Sequence, residues 1–180
     1  MLTIEEQDWL SMLHREDERA MKLISSAYYE ELFNIAFNFL ENKNLATETT
    51  NKLFFDFWND RKKLNIHTSL KKNLRKKLIN ECVTILRYKY KIVFTEIVPS
   101  SNELPTIKKI NFDFDEDSRN LIGKILSGLP EKNKLILRLS RHESYKINEI
   151  AMLLKTSNEV VEFYLLQSLD IIRKGLVRFG

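Results

Sequence analysis

The sequence predicts an all-α chain: two small helical domains joined by a linker, the second with a helix-turn-helix outline. Three observations lead there. Glycine and proline number four and three in 180 residues, and 43% of the chain is hydrophobic against 30% charged, the balance of a helical globular chain rather than a disordered or β-rich one. Apolar residues recur at three- and four-residue spacing through most of the chain. One stretch alone breaks that periodicity: residues 92–117 hold Pro99, Ser100, Ser101, Asn102 and Pro105, then the acids Asp113, Asp115, Glu116 and Asp117. Prolines and turn formers there mark a linker between residues 1–91 and 118–180.

Taken in order, Ile4, Trp9, Leu10 and Leu13 are partly periodic and predict a capping helix within residues 1–19. Leu32, Phe33, Ala36, Phe37 and Leu40 define the next helix, a turn is expected from Glu41 to Leu45, and Leu53, Phe54, Phe57 and Trp58 form the inner side of the helix after it. A further helix from Leu70 to Tyr90 buries Leu70, Leu74, Leu78, Cys82, Ile85 and Leu86. At 100° per residue, Lys72, Asn73, Lys76, Lys77, Asn80, Arg87 and Lys91 gather on another face, so the helix offers a cationic stripe. Cys82 reads as a small core residue.

The linker is either a flexible tether or an acidic segment that imitates nucleic acid and screens that stripe. Beyond it, Leu121, Ile122, Ile125 and Leu126 form a helix that Gly128 ends. Pro130 opens a helix through Leu135, Ile136 and Leu139. A short helix from Asn148 to Leu154, a tight turn at Lys155 and Thr156, an N-cap at Ser157 and a long helix from Asn158 to Arg178 complete the helix-turn-helix outline. On the long helix, Val161, Leu165, Leu169, Ile172 and Leu176 are expected inside. Val160, Phe163, Tyr164 and Ile171 are expected on the opposite, exposed face, an aromatic patch suited to a protein contact.

The net charge of +4 is mild, but its distribution is not uniform. Arg61, Lys62, Lys63, Lys71, Lys72, Arg75, Lys76, Lys77, Arg87, Lys89 and Lys91 face a single acid, Glu81, between residues 61 and 91. That block is either an electrostatic footprint for an anionic partner or a solvated helix face. One cysteine excludes an intrachain disulfide, and His14, His67 and His142 are too far apart in sequence to give a metal-ligand spacing. No apolar run reaches the roughly 20 residues of a membrane span, and the acidic start lacks a signal-peptide core, so a cytoplasmic location is expected. No phosphate-cradling glycine loop, paired catalytic carboxylates or nucleophile motif occurs, which argues against an enzyme, a cofactor and a small-molecule substrate.

Two ordered blocks carry a resemblance to a known family. Residues 21–91 contain Tyr28-Tyr29, Leu32-Phe33, Ala46 through Phe54, Trp58, Ser69-Leu70, Leu74, Asn80, Cys82, Leu86 and Arg87. Residues 118–177 contain Leu129-Pro130-Glu131, Leu139-Ser140-Arg141, Glu149-Ile150-Ala151, Ser157, Val161-Glu162 and Ile172-Arg173-Lys174. In this order and spacing they resemble the two conserved regions of extracytoplasmic-function sigma factors of the Bacteroidetes type. The resemblance implies a protein that binds core RNA polymerase, directs it to promoter DNA and helps melt the −10 element. It places Glu48, Asn51, Lys52, Phe55 and Asp56 on the polymerase-docking surface. It assigns Lys62, Lys63, Asn65, His67, Lys72, Arg75, Lys76, Lys77, Asn80 and Arg87 to the −10 element, with Asn65, His67 and Thr68 in a base-selecting loop. Ser157, Asn158, Glu159, Glu162, Phe163 and Gln167 fall at the −35 element. A membrane-bound anti-sigma protein is a further expected partner; the aromatic face of the last helix is expected either to seat it or to pack on the first domain when the factor is idle. Asn51, Lys52, Glu159 and Val160 depart from the family pattern and favour an alternative: a sigma-like regulator that binds polymerase or an anti-sigma protein without initiating transcription. A stand-alone helix-turn-helix regulator is the remaining alternative, and it has no use for the basic and aromatic block before the linker.

Overall fold

The computed structural model describes residues 2–66, 69–94, 116–141 and 145–179. Among these residues all regular structure is helical: α1 (Ile4–His14), α2 (Arg19–Leu40), α3 (Lys43–Asn59), a 3-10 turn (Arg61–Lys63), α4 (Leu70–Lys89), α5 (Glu116–Ser127), α6 (Glu131–Ser140), α7 (Ile147–Leu154) and α8 (Asn158–Phe179). Among the described residues no helix is long and apolar enough to cross a membrane. Residue contacts divide the chain into two compact units, Met1–Lys89 and Tyr90–Gly180.

In the first unit α2 packs against α1, α3 and α4, and α3 packs against α4. The core is built from Ile24, Leu32, Ala36, Phe39 and Leu40 of α2, Ala46, Leu53, Phe54 and Phe57 of α3, and Leu70, Leu74, Leu78, Cys82 and Leu86 of α4. Because α4 lies against both α2 and α3, its buried stripe is wider than the expected one. Ile79 and Val83 join it, while Ile85 is only half-buried. Burial pushes the Cys82 thiol up to about 12, so it stays protonated.

Local chemistry sets the helix ends. Thr3 and Glu6 form a reciprocal capping box at the start of α1. Glu16, at φ 63°, closes its far end in the left-handed region; Glu16 N–H donates to Leu13 O at 3.0 Å and Asp17 N–H to Met12 O at 3.0 Å. Glu41, at φ 51°, ends α2 in the same way, and the Asn42 side chain accepts from Leu45 N–H at 2.9 Å to start α3. The turn expected from Glu41 to Leu45 therefore shrinks to Glu41 and Asn42, because the asparagine cap recruits Lys43, Asn44 and Leu45 into α3. Inside α3 the buried Thr49 and Thr50 donate their hydroxyls to Leu45 O and Ala46 O at 2.7 and 2.8 Å, so neither polar group is stranded.

In the second unit α5, α6 and α7 each pack on α8. Leu129, Leu137 and Ile172 form the centre of one cluster, with Ile125, Leu126, Leu165, Ile171 and Leu176 around it. A Cβ at Gly175 would lie 2.7 Å from Ile125 Cδ1, so a side chain at that position of α8 would force Ile125 of α5 to shift. The buried Asn133 of α6 joins α8 through polar contacts: its amide nitrogen, with two hydrogens to share, lies 3.2, 2.9 and 3.1 Å from the acceptors Tyr164 O, Gln167 Oε1 and Ser168 Oγ. Lys155, at φ 55°, makes the turn after α7, Thr156 N–H donates to Ala151 O at 3.0 Å, and Ser157 Oγ accepts from Val160 N–H at 3.4 Å at the head of α8.

The exposed aromatic face expected on the last helix is not what forms. Val160 is buried at 1% exposure, beside Val161 at 0%, and Phe163, Tyr164 and Ile171 are half-buried. The reason is packing from more than one side: three helices press on α8, so both of its four-residue ridges point inward. Ile92 and Phe94, at the start of the expected linker, are also buried. Phe94 sits edge-on to Tyr164 at 5.5 Å, with the Lys132 ammonium 5.7 Å from the Phe94 ring centre. The remainder of the linker up to residue 115, and with it its proline and serine stretch, lies outside the described residues.

Candidate nucleic-acid interface

The cationic face of α4 follows from its packing. With Leu70, Leu74, Leu78 and Leu86 turned inward, the four-residue ridge Lys72, Lys76, Asn80, Thr84 and Tyr88 is exposed along its whole length. Lys77 is exposed beside it, with its ammonium 5.7 Å from the Phe57 ring centre, and Arg87 is half-buried near the far end. Among the described residues Lys72, Lys77 and Arg87 have no carboxylate partner. Tyr88, 90% exposed, continues the ridge and was not among the expected site residues; its position four residues beyond Thr84 was the available signal.

Not every lysine and arginine of the basic block joins this face. Arg75 turns to α2, where Glu31 receives its guanidinium and, at 2.7 Å, the Lys71 ammonium. Burial raises the Glu31 carboxyl, but the hydrogen bonds and charges of Lys71 and Arg75 outweigh it and hold the group below the usual carboxylate range. Lys62 is bound to Glu16 at 2.5 Å, and Arg61 reaches the same carboxylate at 3.5 Å while its guanidinium covers the Trp58 ring at 4.3 Å. Lys63 and Asn65 are exposed, and Lys63 has no carboxylate partner among the described residues. His67 and Thr68, expected to read bases, lie outside the described residues.

On α3, Glu48, Asn51, Lys52, Phe55 and Asp56 all face outward at three- and four-residue intervals, so the five expected docking residues form one surface. Phe55 is 66% exposed at its centre and borders a hollow of ≈ 550 Å³ walled by Glu18, Met21, Lys22, Phe54 and Trp58. Asn51 accepts the Tyr29 hydroxyl at 3.1 Å. Lys52 reaches across to Glu81 of α4 at 2.6 Å and lies 4.0 Å from Asp56; the hydrogen bond and charge of Glu81 raise the lysine's pKa. A polar groove of ≈ 290 Å³ runs between the two helices, with Lys52 and Asp56 on one wall and Lys77, Asn80 and Glu81 on the other.

At the head of α8, Asn158, Glu159 and Glu162 are exposed and Ser157 is half-buried. The Ser157 hydroxyl, then the Glu159 amide, stabilise the ionised Glu159 carboxyl and lower its pKa. Gln167 is held by Asn133, and Phe163 stands edge-on to Tyr164 at 5.4 Å, so neither belongs to the same open face. Two exposed carboxylates at this terminus complement its helix dipole but repel phosphate. No group of three or more His, Cys, Asp or Glu suited to a metal ion occurs among the described residues.

Compared with models of known protein families and with curated protein sequences, the chain matches none.

Proposed function

We propose that this chain is a transcription initiation factor of the extracytoplasmic-function sigma type, made of two helical domains and a linker and acting in the cytoplasm without catalysis of its own. The observation that carries the reading is the adjacency of two unlike surfaces on the first unit. The exposed ridge of α4 offers lysines, an asparagine and an aromatic ring, the combination that holds a separated DNA strand by phosphate contacts and base stacking. The neighbouring face of α3 offers an exposed phenylalanine ringed by Glu48, Asn51, Lys52 and Asp56, the combination of apolar anchor and polar rim that suits a protein partner.

In this reading α3 docks on core polymerase, and Lys63, Lys72, Lys76, Lys77 and Arg87 track the backbone of the melted −10 strand. Asn65 and Asn80 supply hydrogen-bonding groups to base edges. Arg75 and Lys62 serve the fold through their carboxylate partners instead. α7, the Lys155 turn and α8 act as the helix-turn-helix that meets the −35 element, with Ser157, Asn158, Glu159 and Glu162 nearest the groove and Glu159 or Glu162 accepting from cytosine. The test is run-off transcription from a pool of bacterial DNA fragments with core polymerase, with and without the chain. Defined transcripts that depend on the chain are the expected result; none, over a range of salt, contradicts it.

The acidic head of α8 favours a second reading, a sigma-like regulator that binds polymerase or an anti-sigma protein without starting transcription. Its signature is co-migration with core polymerase and inhibition of transcription by another initiation factor. The burial of Val160 and the partial burial of Tyr164 and Ile171 leave less apolar surface on α8 for an anti-sigma protein than the sequence suggested.

A further inference from the structure

α1 and its C-terminal turn touch residues 61–64 and the first turn of α4 at three separate points. At one end, Glu16 just beyond α1 accepts Lys62 Nζ at 2.5 Å and one Arg61 nitrogen at 3.5 Å. In the middle, His14 Nε2 lies 3.2 Å from Leu64 O; a carbonyl oxygen only accepts, so the ring nitrogen donates. At the other end is Glu6, 3% exposed on the inner side of α1. Its Oε1 accepts the Tyr28 hydroxyl at 3.0 Å and Lys71 N–H at 3.3 Å, and its Oε2 accepts Thr3 N–H at 2.9 Å.

The buried Glu6 carboxylate is costly unless its oxygens are satisfied. Here they are satisfied by three donors, one of which is an amide of the first turn of α4. That amide has no partner within its own helix, and the positive end of the helix dipole favours the carboxylate beside it. Glu6 thus closes the start of two helices at once, α1 through Thr3 and α4 through Lys71. Together with Leu64, Asn65 and Ile66, α1 residues Gln7, Leu10 and His14 wall a hollow of ≈ 400 Å³. One short helix therefore grips residues 61–64 on one side of the segment and the start of α4 on the other.

We propose that α1 is a positioning brace: Glu6, His14 and Glu16 hold residues 61–66 and the first turn of α4 in the arrangement that selects a −10 base. This inference rests on the function proposed above and gives α1 a defined share in it. The brace sets sequence discrimination and adds little to total affinity, because none of its three residues carries a charge that attracts phosphate through an open face.

The test uses the full chain with His14→Ala and Glu16→Ala combined, two substitutions outside the core, and His14→Gln alone as the conservative variant, whose side-chain amide still donates to Leu64 O. Two readouts are taken. The first is amide hydrogen exchange across residues 61–66 in the free protein. The second, in complex with core polymerase, is the preference for the single-stranded −10 segment of a promoter that the chain initiates from over a scrambled oligonucleotide of equal length. The double variant is expected to melt as wild type does, bind polymerase equally, exchange faster at 61–66 and lose roughly tenfold in preference, while His14→Gln keeps the wild-type values. A double variant with wild-type exchange and wild-type preference overturns the brace alone. A wild-type chain with no preference at all overturns the proposed function, and the role given to α1 with it.

Discussion

Replacing Lys63 and Lys72 together by alanine tests which charges meet DNA. Both side chains are exposed, and neither has a carboxylate partner among the described residues. Each cation that neutralises a single-strand phosphate contributes about 0.7 to the slope of log affinity against log salt, so the pair contributes about 1.4. Between about 50 and 200 mM salt, wild type should therefore lose about sevenfold more affinity than the double variant. Fluorescence anisotropy with the chain, core polymerase and a labelled single-stranded −10 oligonucleotide measures both slopes. Arg75→Ala is the internal control. Its charge is already answered by Glu31, so it should leave the slope nearly unchanged and instead destabilise the fold by about 1 kcal/mol in a denaturant titration. A Lys63/Lys72 variant with the wild-type slope, or an Arg75 variant that flattens it as much, would refute the assignment of open and occupied charges.

Other outcomes follow from individual side chains. Phe55→Ala should change stability by less than about 0.5 kcal/mol, the side chain being mostly exposed, yet weaken binding to core polymerase by about 2 kcal/mol, roughly 30-fold, in a titration of labelled protein. Tyr88→Ala should reduce single-strand affinity by about 1 kcal/mol or more at constant salt slope, since it removes stacking and no charge. Lys155→Gly should stabilise the fold by about 1 kcal/mol in thermal melts, because glycine adopts the left-handed turn without the Cβ penalty. Cys82, its thiol raised by burial to about 12, should resist iodoacetamide at pH 8 in the native state and react once denatured; prompt native labelling would contradict its place in the core.

The all-helical architecture was legible because it depends on periodicity, which survives in a single sequence. The stripe Leu70, Leu74, Leu78, Cys82 and Leu86 lies inside, and the outward set Glu48, Asn51, Lys52, Phe55 and Asp56 shares one surface, as spacing alone requires. What spacing does not reveal is the partner on another helix. Glu31 and Arg75 are 44 residues apart, and Glu6 and Tyr28 are 22 apart, so nothing local marks Arg75 as occupied or Glu6 as buried. Val160 was misplaced for the same reason: an inward stripe drawn for one neighbour is too narrow when three helices pack on α8. The left-handed residues Glu16, Glu41 and Lys155 carry no glycine to betray them. Asn133 claims Gln167 through a contact that only the assembled unit creates.

Site-specific photo-crosslinking separates the two surfaces of the first unit by what each one touches. A photoreactive amino acid at position 55 or at position 72 is placed in a complex of the chain, core polymerase and promoter DNA. Position 55 is expected to capture a polymerase subunit and position 72 the unpaired −10 strand. Capture of polymerase at 72 with none at 55, or of duplex DNA alone at both, would contradict it.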